Sequence, residues 1–143
     1  MGVKTFDPKQ VQVIIGGNEI AGFADGEFIN IERDENTFSK VVGADGEVSR
    51  SKSNNRSGAL TLTLLQTSAS NDVLSAIMIA DELTNSGIIP IFVKDSLGTT
   101  NLFAGEGWIQ KPPASPFDKE ITNREWVIEL ASVDVFIGGN VSN

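Results

Sequence analysis

A strict alternation of leucine and threonine near the middle of the chain limits what this sequence can fold into. Leu60, Leu62 and Leu64 alternate with threonines within the segment 59–66. A period of two places the leucines on one face of an extended strand and the threonines on the other. The segment therefore predicts a β-sheet with one face packed against a core.

A long polar segment, residues 43–58, precedes this strand. Only Ala44 and Val48 are apolar in it, and Asp45-Gly46 favours a tight turn because glycine tolerates positive φ. So little apolar surface cannot offset the entropy lost when the segment becomes ordered. We therefore expect the segment to be mobile in the isolated subunit and to be ordered by a partner.

Strand-like segments flank this polar stretch, at 28–33 and 37–42 before it and at 59–66 after it. The pattern predicts a long mobile hairpin arm at about 43–58 that reaches away from the body. The candidate contact residues of this arm are Gly43, Asp45, Gly46, Glu47, Arg50, Lys52, Asn54, Asn55, Arg56 and Gly58.

The rest of the chain is read mostly as short strands. They are predicted at 11–15, 19–23, 88–94, 101–111, 121–131 and 132–137, separated by glycine-, proline- and asparagine-rich turns. Trp108 and Trp126 are predicted to fill the core. Apolar residues recur at helical spacing only after Ser70, which predicts one helix from Ser70 to Asn85 with Gly87 as its C-terminal stop.

Many short strands and one helix define the predicted fold class. We expect a mainly β protein, a β-sandwich or partly open barrel of antiparallel strands, with one flanking α-helix. At 143 residues, the chain fits a single domain covering 1–143.

The chain contains no histidine and no cysteine, which removes the usual catalytic triads, thiolate chemistry and the commonest transition-metal ligands. The spacing of its acidic residues singles out no pair that would face one substrate, and no phosphate-binding glycine loop occurs. We therefore expect no enzymatic activity, no cofactor and no metal.

The charge and hydropathy also limit the partners. The net charge of −8 disfavours non-specific attraction to nucleic acid or to an anionic membrane surface. No run approaches the roughly 18 apolar residues of a membrane span. Residues 1–7 lack the apolar core of a signal peptide. We expect no membrane partner and assembly in a cytosol.

Several strings of the sequence, in order, resemble the tail tube proteins of contractile-tailed bacteriophages. They are FADGEFINIERD at 23–34, VGADGEV at 42–48, RSKSNNRSG at 50–58 and NREW at 123–126. The resemblance runs over nearly the whole chain. It implies the phage tail-tube fold, in which a sheet from each subunit joins those of its neighbours to form one large β-barrel around a lumen.

The resemblance also implies a function. Such subunits form hexameric rings that stack into a hollow tube, the conduit for genome DNA ejection into the host. The implied partners are further copies of the chain, the tail sheath, the baseplate and the tail terminator, and DNA passes without specific binding. The implied location is the virion, with assembly in the bacterial host cytoplasm. The arm would fold onto an adjacent subunit or the next ring, where Arg50, Lys52 and Arg56 would meet acidic groups.

An acidic wall would leave DNA free to slide, because DNA is held on proteins largely by lysine and arginine through counterion release. The candidate lumen-facing acids are Glu32, Asp34, Glu125 and Glu129. The sequence does not determine which sheet face looks inward, so an outward, solvated face stays open for each of them.

Two alternatives stay open on the sequence. One is a receptor- or carbohydrate-binding β-sandwich with the arm as its recognition loop, although residues 43–58 contain no aromatic residue that could stack on a sugar. The other is a secretion-system tube subunit of the same fold that delivers effectors.

Overall fold

Ten β-strands and one α-helix are described by the computed structural model, which covers residues 2–140. The helix is α1 (Ser70–Thr84). The strands are β1 (Val11–Ile15), β2 (Asn18–Glu19), β3 (Ile29–Arg33), β4 (Phe38–Val42), β5 (Val48–Lys52), β6 (Gly58–Leu65), β7 (Ile89–Asp95), β8 (Asn101–Ile109), β9 (Asn123–Leu130) and β10 (Val133–Phe136).

Eight of these strands form one antiparallel sheet in the order β2-β1-β7-β8-β9-β6-β3, with β10 paired to β8. The remaining strands, β4 and β5, pair only with each other as a separate two-stranded sheet. The predicted fold class, mainly antiparallel β with one flanking helix, is confirmed.

The strand β9 joins the two halves of the large sheet. Along its whole length it pairs with β6, from Asn123 opposite Leu65 to Leu130 opposite Gly58. Its last three residues also pair with β8, where Leu130 lies opposite Gly107, and β10 continues along β8 after a two-residue break. One strand, β9, thus links a half made of β3, β6 and β9 to a half made of β8, β7, β1 and β2.

The core lies against the inner face of both halves. Leu60, Leu62 and Leu64 are fully buried, which confirms the sidedness predicted from the leucine–threonine alternation. Burial of this apolar surface is the main force that stabilises the fold. The other half and the remaining elements contribute Val13, Ile15, Ile91, Val93, Leu102, Ile128, Leu130 and Val133, together with Leu74 from α1.

The two tryptophans lie in different environments. Trp126 is buried in the core, as predicted, and its indole Nε1–H donates to Asn71 Oδ1 at 2.9 Å. Trp108 was predicted to fill the core, and this is wrong because its side chain is 38% exposed. Its neighbours Gly107 and Ile109 are both buried, so the period of the strand turns Trp108 to the outer face.

The helix α1 begins as predicted, but Gly87 is not its stop. The helix ends at Thr84, and Asn85 follows it as the C-cap in the left-handed conformation with φ 59°. Asparagine is the residue other than glycine that most readily occupies this position. Gly87 instead packs against Asp81, whose carboxylate accepts from the Gly87 N–H at 3.1 Å. No helix within residues 2–140 is long and apolar enough to cross a bilayer.

The strand predicted at 19–23 is also shorter than expected. The strand covers only Asn18–Glu19, one further backbone hydrogen bond joins the Ile20 N–H to the Val13 carbonyl oxygen of β1, and the chain then turns away at Gly22, which has φ 78°. Phe23 forms an isolated bridge to Leu64, so this segment crosses from the β1 edge to β6.

Candidate subunit interfaces

A β-hairpin made of β4 and β5 projects from the body between β3 and β6. Its strands pair in register from Phe38 opposite Lys52 to Val42 opposite Val48, and every residue in both strands is exposed. A glycine turn closes the hairpin, where the Gly43 N–H donates to the Glu47 carbonyl oxygen at 2.7 Å. The hairpin therefore depends on its own pairing and turn.

The predicted arm residues are distributed over this hairpin and its flanks. The shaft starts at Phe38, so it includes β4, which precedes the predicted arm at 43–58. The return segment 53–57 leads into β6, where Gly58 is buried and belongs to the body. The turn contains Gly43, Asp45, Gly46 and Glu47, the strand β5 contains Arg50 and Lys52, and the return segment contains Asn54, Asn55 and Arg56.

The two faces of the hairpin differ in chemistry. Ser39 and Ser51 share one face, where their hydroxyl oxygens lie 3.0 Å apart, and this face is uncharged. The opposite face, here named the cationic face, combines one mixed pair, one basic pair and one apolar pair across the two strands. It consists of Phe38, Lys40, Val42, Val48, Arg50 and Lys52.

Contacts within the cationic face confirm this arrangement. The Arg50 guanidinium lies 4.1 Å from the Phe38 ring centroid, a cation–π contact between diagonal neighbours. Lys40 lies directly opposite Arg50 and was missed from the sequence, because it was assigned to a strand before the arm. The sequence signal for Lys40 was the two-residue period of a strand, which places positions 38, 40 and 42 on one face.

The root of the hairpin is fastened to the start of β10. Arg56 forms an ion pair with Asp134, and its carbonyl oxygen accepts from the Val133 N–H at 2.8 Å. The Val133 carbonyl oxygen accepts from Arg33 Nη2 at 2.8 Å. Nearby, the Ser57 hydroxyl donates to the Asp34 carboxylate at 2.8 Å. These contacts fix the base of the hairpin to the body.

Three of the four predicted lumen acids share one surface. Glu32 and Glu129 lie on either side of Ala59 in the register of β3, β6 and β9, and Glu125 lies opposite Thr63. Because these positions alternate with buried ones, all three face away from the core. Asp34 lies outside this surface, since it follows β3 and binds Ser57 at the hairpin root.

This surface, here named the acidic face, comprises the outward positions of β3, β6 and β9. None of its ten residues is a lysine or an arginine. They are Asn30, Glu32, Ala59, Thr61, Thr63, Leu65, Asn123, Glu125, Val127 and Glu129. Glu32 and Glu129 stand two inter-strand spacings apart, about 10 Å, so their charges repel across a distance near the Debye length.

Comparison with known proteins identifies the family to which the chain belongs. The family model described as Bacteriophage PhiTE tail tube protein matches residues 14–138. The chain belongs to this tail tube family. A relative in Pseudomonas phage KPP10, structural protein ORF10, is 31% identical over 144 residues, which cover 95% of this chain and 83% of that protein.

Solved structures share the fold of this tail tube protein. The sheath/tube terminator of the extracellular contractile injection system PVC aligns with a TM-score of 0.66 at 14% identity, covering 94% of this chain and 99% of the other. The tube-terminating cap of the anti-feeding prophage aligns with a TM-score of 0.61 at 11% identity, covering 95% and 94%.

The sheath–tube complex of the same PVC system also aligns with this tail tube protein, with a TM-score of 0.57 at 14% identity, covering 96% and 93%. Family membership identifies the chain as a structural phage protein and a component of the virion, and not an enzyme.

Proposed function

We propose that the protein forms hexameric rings that stack into the tube of a contractile tail, and that the tube conducts genome DNA into the host. The observation that carries this proposal is the projecting hairpin, whose cationic face is exposed on a subunit with a net charge of −8. A subunit shaped in this way presents a basic element to copies of itself that are predominantly acidic.

The exposed apolar side chains of the hairpin support a role in assembly. Val42, Val48 and Phe38 are 57%, 62% and 45% exposed, and they lie on the same face. Val42 and Val48 lie directly opposite each other, and an exposed apolar patch bordered by charged residues is typical of a contact site. Contact with a neighbour would remove this surface from water and order the hairpin.

The edge of the large sheet supports lateral assembly. The strand β3 ends the sheet, so one of its edges pairs with no other strand within residues 2–140. An unpaired edge invites uncontrolled strand pairing, and closure of subunits into a ring would consume it in a defined contact. In this proposal, β3 carries the acidic face into a barrel shared by the six subunits.

The acidic face is the surface that we assign to the lumen. Glu32, Glu125 and Glu129 from each copy would line the conduit, and none of the ten residues of the acidic face is a lysine or an arginine that could bind phosphate. DNA gains little free energy from counterion release at such a wall, and repulsion acts only within about 8 Å at physiological salt. The duplex would therefore slide.

The further partners follow from the same proposal. Sheath, baseplate and tail terminator proteins would contact the tube, and assembly would take place in the host cytoplasm. A second candidate function is a tube that delivers protein effectors, which the fold shared with the PVC sheath–tube complex favours. The two candidate functions differ in whether DNA passes through the assembled tube. A test of DNA passage therefore distinguishes them.

Replacement of the hairpin tests the proposal directly. The Ser53 N–H donates to the Thr37 carbonyl oxygen at 2.8 Å, so residues 38–52 can be replaced by an Asn-Gly turn without moving the body. We expect the shortened variant to fold with an unchanged far-ultraviolet circular dichroism minimum, and to remain monomeric. The full chain at the same concentration should give rings or tubes by negative-stain electron microscopy.

The matched control keeps the hairpin and alters its uncharged face, with Ser39→Ala and Ser51→Ala. This variant should assemble as the full chain does. A full chain that stays monomeric in sedimentation velocity across a wide concentration series, or a hairpin-free variant that still forms tubes, would contradict the proposal.

A further inference from the structure

We propose that the cationic face of the hairpin docks on an exposed stripe of α1 in a second copy of the chain. The inference rests on the proposed tube assembly and names the surface that receives the hairpin. Neither the hairpin nor the stripe is covered in the subunit. Both surfaces are therefore accessible to another molecule.

The stripe follows the outer side of α1. Asp72, Ala76, Ile79 and Leu83 are all exposed and recur at intervals of four, three and four residues, the spacing of one helix face. Ile79 is 51% exposed and Leu83 is 78% exposed. Leu74, in contrast, is fully buried and anchors the inner side of the helix.

The charges of the stripe complement those of the hairpin. Glu82 adjoins Leu83, and α1 contains no lysine or arginine along its whole length. Within residues 2–140, Arg56 with Asp134 is the sole ion pair, so the cations of the cationic face and the acids of the stripe are free. Opposite charges would steer the two surfaces together and set their orientation.

The two surfaces also match in length and order. From Val42 to Phe38 the hairpin extends about 14 Å at the rise of a β-strand. From Leu83 to Asp72 the helix extends about 16 Å at the α-helical rise. When the valines of the hairpin tip lie on Ile79 and Leu83, Lys40 and Lys52 extend along the helix toward Asp72.

The occupant is a second copy and not the parent chain. In one chain, β4 and β5 are exposed throughout while Ile79 and Leu83 are also exposed, so the two surfaces do not cover each other. Each copy carries one hairpin and one stripe. Such a head-to-tail contact repeats from copy to copy, giving a ring when the rotation closes and a filament when it does not.

Engineered disulfides test the contact, because the chain has no cysteine of its own. Under mild oxidation of the assembled protein, Val48→Cys combined with Ile79→Cys should give a ladder of covalent dimers and higher oligomers. The control is Val41→Cys with Ile79→Cys, in which the hairpin cysteine lies on the uncharged face. We expect about tenfold less cross-linked protein in this control, since Val41 points away from the helix.

A charge swap provides a second readout. Lys52→Glu and Asp72→Lys should each lower the assembled fraction about tenfold, because each places like charges together at the contact. The combined variant should recover most of the assembled fraction. Asp118→Lys, an exposed acid in the loop before β9, is the matched control and should leave assembly unchanged.

The outcomes separate this inference from the proposed function. Tubes from the full chain with no Val48–Ile79 cross-link and no rescue by the combined variant would overturn the helix contact while leaving the tube intact. A full chain that forms neither rings nor tubes would overturn both proposals.

Discussion

At the scale of single residues, neighbouring side chains in β6 have opposite environments. Leu62 is fully buried and pairs with Trp126 across the strands, whereas Thr61 lies on the acidic face opposite Val127. A charge at the first position loses its hydration inside the core, and a charge at the second keeps most of it. The orientation of the strand can therefore be tested one residue at a time.

We predict that Leu62→Asp lowers the free energy of unfolding by more than about 3 kcal/mol, because it places an unpaired carboxylate in the core. Thr61→Asp should cost less than about 1 kcal/mol. Urea denaturation of the two variants measures both values. A larger loss for Thr61→Asp would mean that the faces of β6 are reversed, and equal losses would mean that the two faces do not differ in burial.

Residue patterns predicted sidedness well only where the two faces differ in chemistry. The leucines and threonines of β6 meet this condition, and all three leucines are buried. Trp108 does not, because its position is decided by the burial of Gly107 and Ile109, and both faces of β8 contain apolar residues. Lys40 lies between the apolar Phe38 and Val42 on its face of the strand, and only its register opposite Arg50 reveals the cationic face.

At the scale of elements, the end of α1 shows why boundaries are harder to predict than elements. The apolar spacing was sufficient to find the helix, but two residues near its end can adopt the left-handed conformation. Asn85 does so, while Gly87 is two residues further on and is held by Asp81. The choice depends on tertiary contacts that the local sequence does not contain.

We predict that Asn85→Val lowers the free energy of unfolding by about 1–2 kcal/mol, because a β-branched side chain is strained at positive φ. Asn85→Gly removes the strain entirely and should be neutral or slightly stabilising. Thermal melts followed by circular dichroism compare the two variants. A valine variant as stable as the glycine variant would place the helix end elsewhere.

The hairpin, by contrast, was predicted from the scarcity of apolar residues at 43–58. Its polar composition predicted that it would leave the core, and Asp45-Gly46 marked the turn. Its root could not be predicted, because the ion pair between Arg56 and Asp134 joins residues that are 78 positions apart. Its mobility in the free subunit and its order in an assembly remain predictions.

At the scale of the whole molecule, the charge is divided between surfaces. The acidic face contains three glutamates and no cation, and the basic residues Lys40, Arg50 and Lys52 are collected on the hairpin. The net charge of −8 alone would not reveal this separation. Glu32 and Glu129 are far apart in sequence, and only the strand register shows that they lie on either side of Ala59.

We predict that tubes of the full chain leave short duplex DNA unbound at physiological salt, because an acidic wall offers no counterion release. Tubes in which Glu32, Glu125 and Glu129 are changed to lysine should bind the duplex and protect it from nuclease. Fluorescence anisotropy and nuclease digestion provide the two measurements.

The control for this experiment reverses the same amount of charge elsewhere, with Glu106, Asp118 and Glu120 changed to lysine. These residues are exposed and lie outside the acidic face. DNA bound by the control tubes should be digested. Equal protection in both variants, or tight binding by the unmodified tube, would contradict the assignment of the acidic face to the lumen.

The strand shared by the two halves of the sheet has a mechanical consequence. Because Leu130 is bonded to β6 on one side and to β8 on the other, a load applied to either half passes through backbone hydrogen bonds to the opposite half. We expect such a subunit to resist shear between its two halves. A wall built from these subunits would keep its bore open while a driving force acts on its outside.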